Sequence, residues 1–263
     1  MKKILIMAGI LSSLVACTNG PKPPVAKKIP HAMTIHGDTR TDNYYWLNER
    51  ENPEVIKYLN DENAYANAMM KHTEKLQEKL YKEIRGRIKE QDESVPYLDN
   101  GYYYYNRTLP NTEYYLSCRK KGDLSASEEV YLDVNKMADG YAYYGLTGAR
   151  FSPDNKIVAY GVDTVSRRRY TIYFKNVETG ELYADAIPNT TGNCVWTNDN
   201  KTVFYIMKHP ETLRSERIMK HVLGTPLSED KEVYFEKDET FSVGVGKSKS
   251  GKYIFIASHA TLT

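Results

Sequence analysis

One line of this sequence is written three times. Phe151-Ser-Pro-Asp-Asn-Lys156 runs into Ile157-Val-Ala-Tyr160, Trp196-Thr-Asn-Asp-Asn-Lys201 into Thr202-Val-Phe-Tyr205, and Lys247-Ser-Lys-Ser-Gly-Lys252 into Tyr253-Ile-Phe-Ile256. Each copy is a turn of Asp, Asn, Gly or Ser, then a lysine, then a strand of β-branched and aromatic residues. A fainter copy, Leu98-Asp-Asn-Gly101 before Tyr102 to Tyr105, stands upstream. A repeat of roughly 45 to 50 residues with a few strands per unit is the mark of a β-propeller. A small sheet cannot bury both faces alone, whereas sheets packed in a ring cover one another. The units read as about residues 97–135, 146–187 and 192–236, with a fourth beginning near 240. The expected fold class is mainly β, with about three and a half blades of a propeller. Such an arc cannot close, so its last sheet is expected to expose an apolar face and an unpaired edge.

Before Val95 the period is helical. Asn52 reads as an N-cap and Pro53 as a first-turn residue. Val55, Ile56, Leu59, Ala66, Met69 and Met70 keep helical spacing to about His72. Leu76, Leu80, Ile84 and Ile88 follow at four-residue steps with charged residues between them, and Gly86 stands near the end of that second helix. Such a stripe is expected to pack against the protein's own surface. Tyr44-Tyr45-Trp46-Leu47 reads as a packing anchor. The expected domains are an N-terminal arm with two helices over 31–92 and the incomplete propeller over 93–263.

The first residues read as a targeting signal. Lys2 and Lys3 precede an apolar run, Ile4 to Ala16, that is too short to span a bilayer comfortably. Leu14-Val15-Ala16-Cys17 is similar to the bacterial lipobox, in which cleavage precedes the cysteine and the cysteine carries lipid. Residues 1–16 are thus expected to be a lipoprotein signal peptide, and 17–30 a lipidated Cys17 followed by a tether rich in proline (Pro21, Pro23, Pro24, Pro30). An ordinary secretory signal with a chance cysteine is the plainer alternative. Thr18, rather than Asp, follows Cys17, which favours the periplasmic face of the outer membrane. The expected membrane contact is the lipid on Cys17.

Formal net charge is +2, without a basic face, which argues against nucleic acid as a partner. Cys118 and Cys194 sit in strand-like runs of different repeats and are expected to be buried free thiols. No Cys/His spacing suggests a metal site, and no cofactor is expected. His31 and His36 are lone loop histidines, for which a structural or solvent-facing role outweighs catalysis. Arg167-Arg168-Arg169 lies between two strands, either as a solvated hairpin tip, the plainer reading, or as a contact for an anion or acidic peptide. No Gly-x-Ser-x-Gly nucleophile elbow occurs in the 263 residues.

Several ordered stretches resemble the prolyl oligopeptidase family, especially its oligopeptidase B (protease II) branch. They are Asp42-x-Tyr44-x-Trp46-Leu47, Tyr58-Leu59-x-x-Glu62-Asn63-x-Tyr65, Glu83-Ile84-x-Gly86-Arg87-Ile88 and Asp92-x-Ser94-Val95-Pro96-Tyr97. Asn100-Gly-Tyr-Tyr-Tyr-Tyr105, Cys118-Arg-Lys-Lys-Gly122, Glu128 to Asn135 and Ser152-Pro-Asp-Asn155 continue the series. The resemblance implies a seven-bladed propeller lid over an α/β-hydrolase domain, with the arm wrapped on that domain. It also implies a serine peptidase that cuts short peptides after Arg or Lys. The Ser-Asp-His triad of such enzymes belongs to the C-terminal domain, so no catalytic residue carries over to this chain and its substrate-binding residues stay unassigned. The chain is expected to be an inactive N-terminal part of a larger coding sequence, partnered in cis by the hydrolase domain. The alternative is a non-catalytic propeller lipoprotein that binds peptides or a protein.

Overall fold

The structure, a computed structural model, describes residues 20–263. The signal over 1–16 and the lipidation expected at Cys17 lie outside the described residues. The described chain divides into two compact units, one ending at Ile88 and one spanning Lys89–Thr263.

In the first unit, β1 (His31–Ile35) and β2 (Asp38–Asp42) form a hairpin. Its turn residues His36 and Gly37 both have positive φ, 54° and 79°, as a two-residue turn matched to strand twist requires. Trp46 is buried, and its indole N–H donates to the Lys27 carbonyl at 2.8 Å, pinning the end of the Pro-rich stretch. Helix α1 (Pro53–Met70) starts as the sequence predicts: the Asn52 side chain accepts the Glu54 N–H at 2.9 Å, and Pro53 opens the first turn. A 3₁₀ turn over Lys71–Thr73 leads into α2 (Glu74–Gly86). On and just beyond α2, Leu76, Leu80, Ile84 and Ile88 are 55%, 45%, 60% and 53% exposed.

The second unit is an arc of blades. The first blade is an antiparallel meander of β3 (Tyr97–Asp99), β4 (Tyr102–Thr108), β5 (Tyr115–Lys121) and β6 (Glu129–Asp133). A short helix α3 (Val134–Met137), capped by the Asp133 carboxylate, leads onward. The next seven strands form one continuous sheet: β7 (Gly145–Phe151), β8 (Ile157–Asp163), β9 (Tyr170–Asn176), β10 (Leu182–Trp196), β11 (Thr202–Lys208), β12 (Ser215–Val222) and β13 (Lys231–Phe235). The sheet contains two blades, because β10 serves both. Its start pairs with β9 (Ile187 opposite Ile172), and its end pairs with β11 (Trp196 opposite Val203). The register shifts between Thr190 and Cys194, and there the strand passes from the outside of one blade to the inside of the next. The last pair, β14 (Ser242–Lys247) and β15 (Ile254–His259), is the inner half of a fourth blade. This is the incomplete propeller that the repeats predict. The expected exposed face is present on the last pair, where Phe255 is 58% exposed, with Tyr253 of the preceding turn 64% exposed beside it.

The core lies between blades. Along β8, Val158, Tyr160 and Val162 enter a cluster with Tyr104, Tyr131 and Leu132 of the first blade. Ile157 and Ala159, on the opposite face, join Phe174, Ile187, Trp196 and Tyr205 in a second cluster with the third blade. The alternation of β-strand side chains thus feeds two cores from one strand. Arg119 crosses the first boundary. Its guanidinium forms a two-pronged pair with Glu129 (2.7 and 3.0 Å), donates to the Asn155 carbonyl at 2.9 Å, and lies over the rings of Tyr102 and Phe151. The Arg119 side chain is 3% exposed, so its charge is committed to these partners. Arg119→Ala is expected to lower the unfolding free energy by about 2 kcal/mol, from the Asn155 carbonyl left without a donor and the lost packing on Tyr102 and Phe151, since Glu129 is exposed enough to turn to water. Arg119→Lys should recover less than half of that loss, since an ammonium cannot make the fork. Urea denaturation of the three proteins measures both.

Candidate functional site

The arc has a concave inner wall built from β3, β7, the end of β10, and β14. A cavity of about 900 Å³ lies against it. The three written repeats are the turns at one end of these inner strands. In the first, Ser152 Oγ donates to Asp154 Oδ1 at 2.6 Å and accepts the Ile157 N–H at 3.0 Å, while Asn155 takes φ 62°. In the second, Thr197 donates to Asp199, Asp199 also accepts the N–H groups of Lys201 and Thr202 at 2.9 Å, and Asn200 takes φ 61°. In the third, Ser248 Oγ accepts the Tyr253 N–H at 3.1 Å and Gly251 takes φ 69°. Asp and Asn are present because their short side chains bond their own backbone and tolerate the left-handed region.

Each turn also holds its neighbour. Asn100 Nδ2 donates to the Pro153 carbonyl at 2.8 Å, and Asn155 Nδ2 returns a bond to the Asn100 carbonyl at 3.1 Å. Asn200 Oδ1 accepts the Asp154 N–H at 2.9 Å, and Asn198 Nδ2 donates to the Gly251 carbonyl at 2.9 Å. The mouth of the cavity is therefore a chain of turns latched side to side. Asp199 carries the strongest signature. Burial works to raise its carboxyl, but the bonds from Thr197, Thr202 and two N–H groups outweigh it and hold the group well below the usual carboxylate range.

The wall itself is glycine-rich and polar. Gly148 has φ 68°, and a Cβ there would run into the Gly192 carbonyl; one at Gly161 would meet Gly192 as well. These glycines let β10 touch β7 and β8 backbone to backbone, beside the register shifts of β7 and β10. Trp196 fastens the same boundary, donating from Nε1 to the Arg150 carbonyl at 3.0 Å. Among ionisable side chains lining the cavity, Arg150, Lys247 and Lys249 face a single carboxylate, Asp99.

No arrangement for peptide-bond chemistry occurs among the described residues. The Ser152–Asp154 pair is spent on its turn. His221 has carboxylates on both sides, Asp185 at 2.8 Å from Nε2 and Asp230 at 2.6 Å from Nδ1, with the Tyr205 hydroxyl donating to Asp230 at 2.7 Å. Both ring nitrogens are engaged and the residue is fully buried, so it clasps the outer strand of one blade to the next. His31 stacks on Tyr45 with ring centroids 4.0 Å apart, and His36 sits in the hairpin turn. Cys118 and Cys194 are buried free thiols, as expected, and burial pushes them up to about 11 and about 12, far from a reactive thiolate. The arginine triplet is the tip between β8 and β9. No cluster of His, Cys, Asp or Glu suited to a metal ion occurs among the described residues. The inner strands and the His221 clasp were not legible beforehand. The one signal the sequence carries for them is the set of turn asparagines, Asn100, Asn155, Asn198 and Asn200, whose side chains form the latches.

Asn155→Ala is expected to cost about 2 kcal/mol in unfolding free energy, from left-handed strain and the lost latch bond. Asn155→Gly should cost roughly half as much, as Gly251 fills the same place in the third turn. Thermal and urea unfolding separate the two.

The family described as "Prolyl oligopeptidase, N-terminal beta-propeller domain" matches residues 23–263. The chain is 43% identical over 278 residues to dipeptidyl aminopeptidase BI of Pseudoxanthomonas mexicana, covering 98% of this chain and 38% of that protein. It is 36% identical over 249 residues to protease 2 of Moraxella lacunata, covering 92% of this chain and 36% of that protein. Oligopeptidase B from Leishmania major superposes with a TM-score of 0.84 at 32% identity, over 90% of this chain and 36% of that one. The chain thus spans little more than a third of the length of these relatives. Helical arm, Tyr-rich first blade, repeated turns and open arc all fall within the matched region, and the chain belongs to the prolyl oligopeptidase family through its N-terminal β-propeller domain.

Proposed function

We propose that this chain is the arm and part of the propeller lid of a serine oligopeptidase that cleaves short peptides after Arg or Lys. The Ser, Asp and His of the reaction are supplied by a hydrolase domain outside these 263 residues. The observation that carries the reading is the combination of family and extent: a propeller arc matching little more than a third of relatives that are named as peptidases. The arc contributes a narrow, latched wall. A closed ring of such blades admits an extended peptide and excludes a folded protein. The apolar stripe of Leu76, Leu80, Ile84 and Ile88 packs on the hydrolase domain, which explains why so much apolar surface is left in water here. The chain alone is expected to show no turnover of Arg- or Lys-ester substrates, whereas the same chain joined to its hydrolase domain turns them over and is stopped by a serine-directed inhibitor. Inhibitor-sensitive turnover by the 263-residue chain would refute the reading, and an inert longer protein that binds peptides would replace the enzyme with a binding lipoprotein.

The same protein is anchored by lipid on Cys17 at the periplasmic face of the outer membrane. The support is the order of signals in the sequence: Lys2 and Lys3, the apolar run to Ala16, Cys17, then the proline-rich stretch. In cells fed an alkyne fatty acid, the wild-type protein is expected to take up label and partition with membranes. Cys17→Ser should lose both. A mature N-terminus elsewhere than Cys17, found by mass spectrometry, would contradict the assignment.

A further inference from the structure

The β8–β9 tip is more than a run of exposed arginines, because the neighbouring blade brings a fourth cation to it. Lys208, at the end of β11, directs its ammonium onto the Arg168 carbonyl at 2.5 Å. Arg169 in turn donates from Nη2 to the Pro210 carbonyl, so two adjacent blades are tied at this spot by their basic residues. The tip is also shaped to hold its charges outward. Ser166 and Arg168 take φ 60° and 56°, and buried Asp163 accepts the Val165 and Arg168 N–H groups at 2.9 and 2.7 Å.

That use of Asp163 leaves four cations against one carboxylate that pairs with none of them. It is the one carboxylate buried beneath the tip, and its oxygens are aimed at backbone. Glu211, in the opposing turn, is exposed and forms no ion pair with these cations. Among the described residues, Arg167, Arg168, Arg169 and Lys208 have no salt-bridge partner. Lys208 is held below the usual lysine range by burial first and by Arg168 second, with Asp163 opposing weakly. Like charges gathered without a counter-charge raise the free energy of the free protein, and an anion placed among them recovers it.

We propose that this tip, formed by Arg167 and Arg168 with Lys208 of the next blade, is a docking site for an acidic peptide. Three of the cations follow one another along the tip and the fourth reaches in from β11, a row that suits carboxylates spaced along a chain better than one phosphate. Val165, 68% exposed beside them, offers an apolar contact for the stem of a Glu side chain. The choice of a peptide rests on the peptidase reading above; the anion site itself does not.

The test is fluorescence anisotropy of a labelled hexaglutamate peptide with the 263-residue chain, with hexaglutamine as the uncharged control. Hexaglutamate is expected to bind at least about tenfold more tightly, and more weakly as salt rises. Arg167→Gln combined with Lys208→Gln should lose about tenfold or more, whereas Lys237→Gln, an exposed lysine after β13, should leave binding unchanged. If the double variant melts early, Arg167→Gln alone carries the test, since that residue is exposed and forms no hydrogen bond or ion pair among the described residues. Equal binding of the two peptides, or full affinity in the variants, overturns the site. Tighter binding of inorganic phosphate or of anionic phospholipid vesicles through the same residues overturns the peptide assignment. None of these measurements involves hydrolysis, so their failure leaves the peptidase reading to its own assay.

Discussion

A strand with both faces buried cannot stand at the surface of anything, and Ile157–Asp163 is such a strand. Its odd-numbered apolar residues serve one core and its even-numbered ones another, so each blade depends on the next for half of its burial. Burial of this kind is worth about 2 kcal/mol per large side chain, and it is shared rather than local. The blades are therefore not independent domains placed in a row. Each boundary also carries polar fasteners: Arg119 at the first, and Trp196 and His221 at the second. The fasteners choose register; the apolar clusters supply most of the stability.

The two ends of the arc are built on different principles. One end is a row of turns whose Asn side chains bond the backbone of the neighbouring turn, so most of the links there are amide bonds rather than ion pairs. The other end, at the β8–β9 tip, joins blades through cations reaching carbonyl oxygens. A protein that must hold a mouth of fixed width gains from the first arrangement. A surface that must attract charged chains gains from the second.

Much of the architecture could be read from the residues, for identifiable reasons. Tyr-rich and β-branched strands such as Tyr170–Asn176 show as continuous apolar runs because both faces meet a core. The inner strands show no such run. Thr190-Thr-Gly-Asn-Cys-Val-Trp196 faces a cavity on one side, and its bulge breaks the alternation, so nothing in its pattern announces a strand. Smaller differences have local causes. Val134, which follows directly on the strand Glu129–Asp133, starts a helix because Asp133 caps it, and Tyr253 stays in the turn because its N–H is taken by Ser248. The hairpin over 31–42 was hidden by polar strands, although His36-Gly37 is the kind of pair its turn demands. The latches lay within the repeats, but their partners are a whole blade away in sequence, and only the fold brings them together. His221 looked ordinary because neither aspartate is near it along the chain.

The shared strand has a mechanical meaning. Because β10 runs without a break from the rim of one blade to the hub of the next, those two blades have no swivel between them. A twist applied to one is delivered to the other through a continuous ladder. Any breathing of the arc must be taken up where the joints are loops: at the segment between Met137 and Gly145 before the pair, and between Phe235 and Ser242 after it.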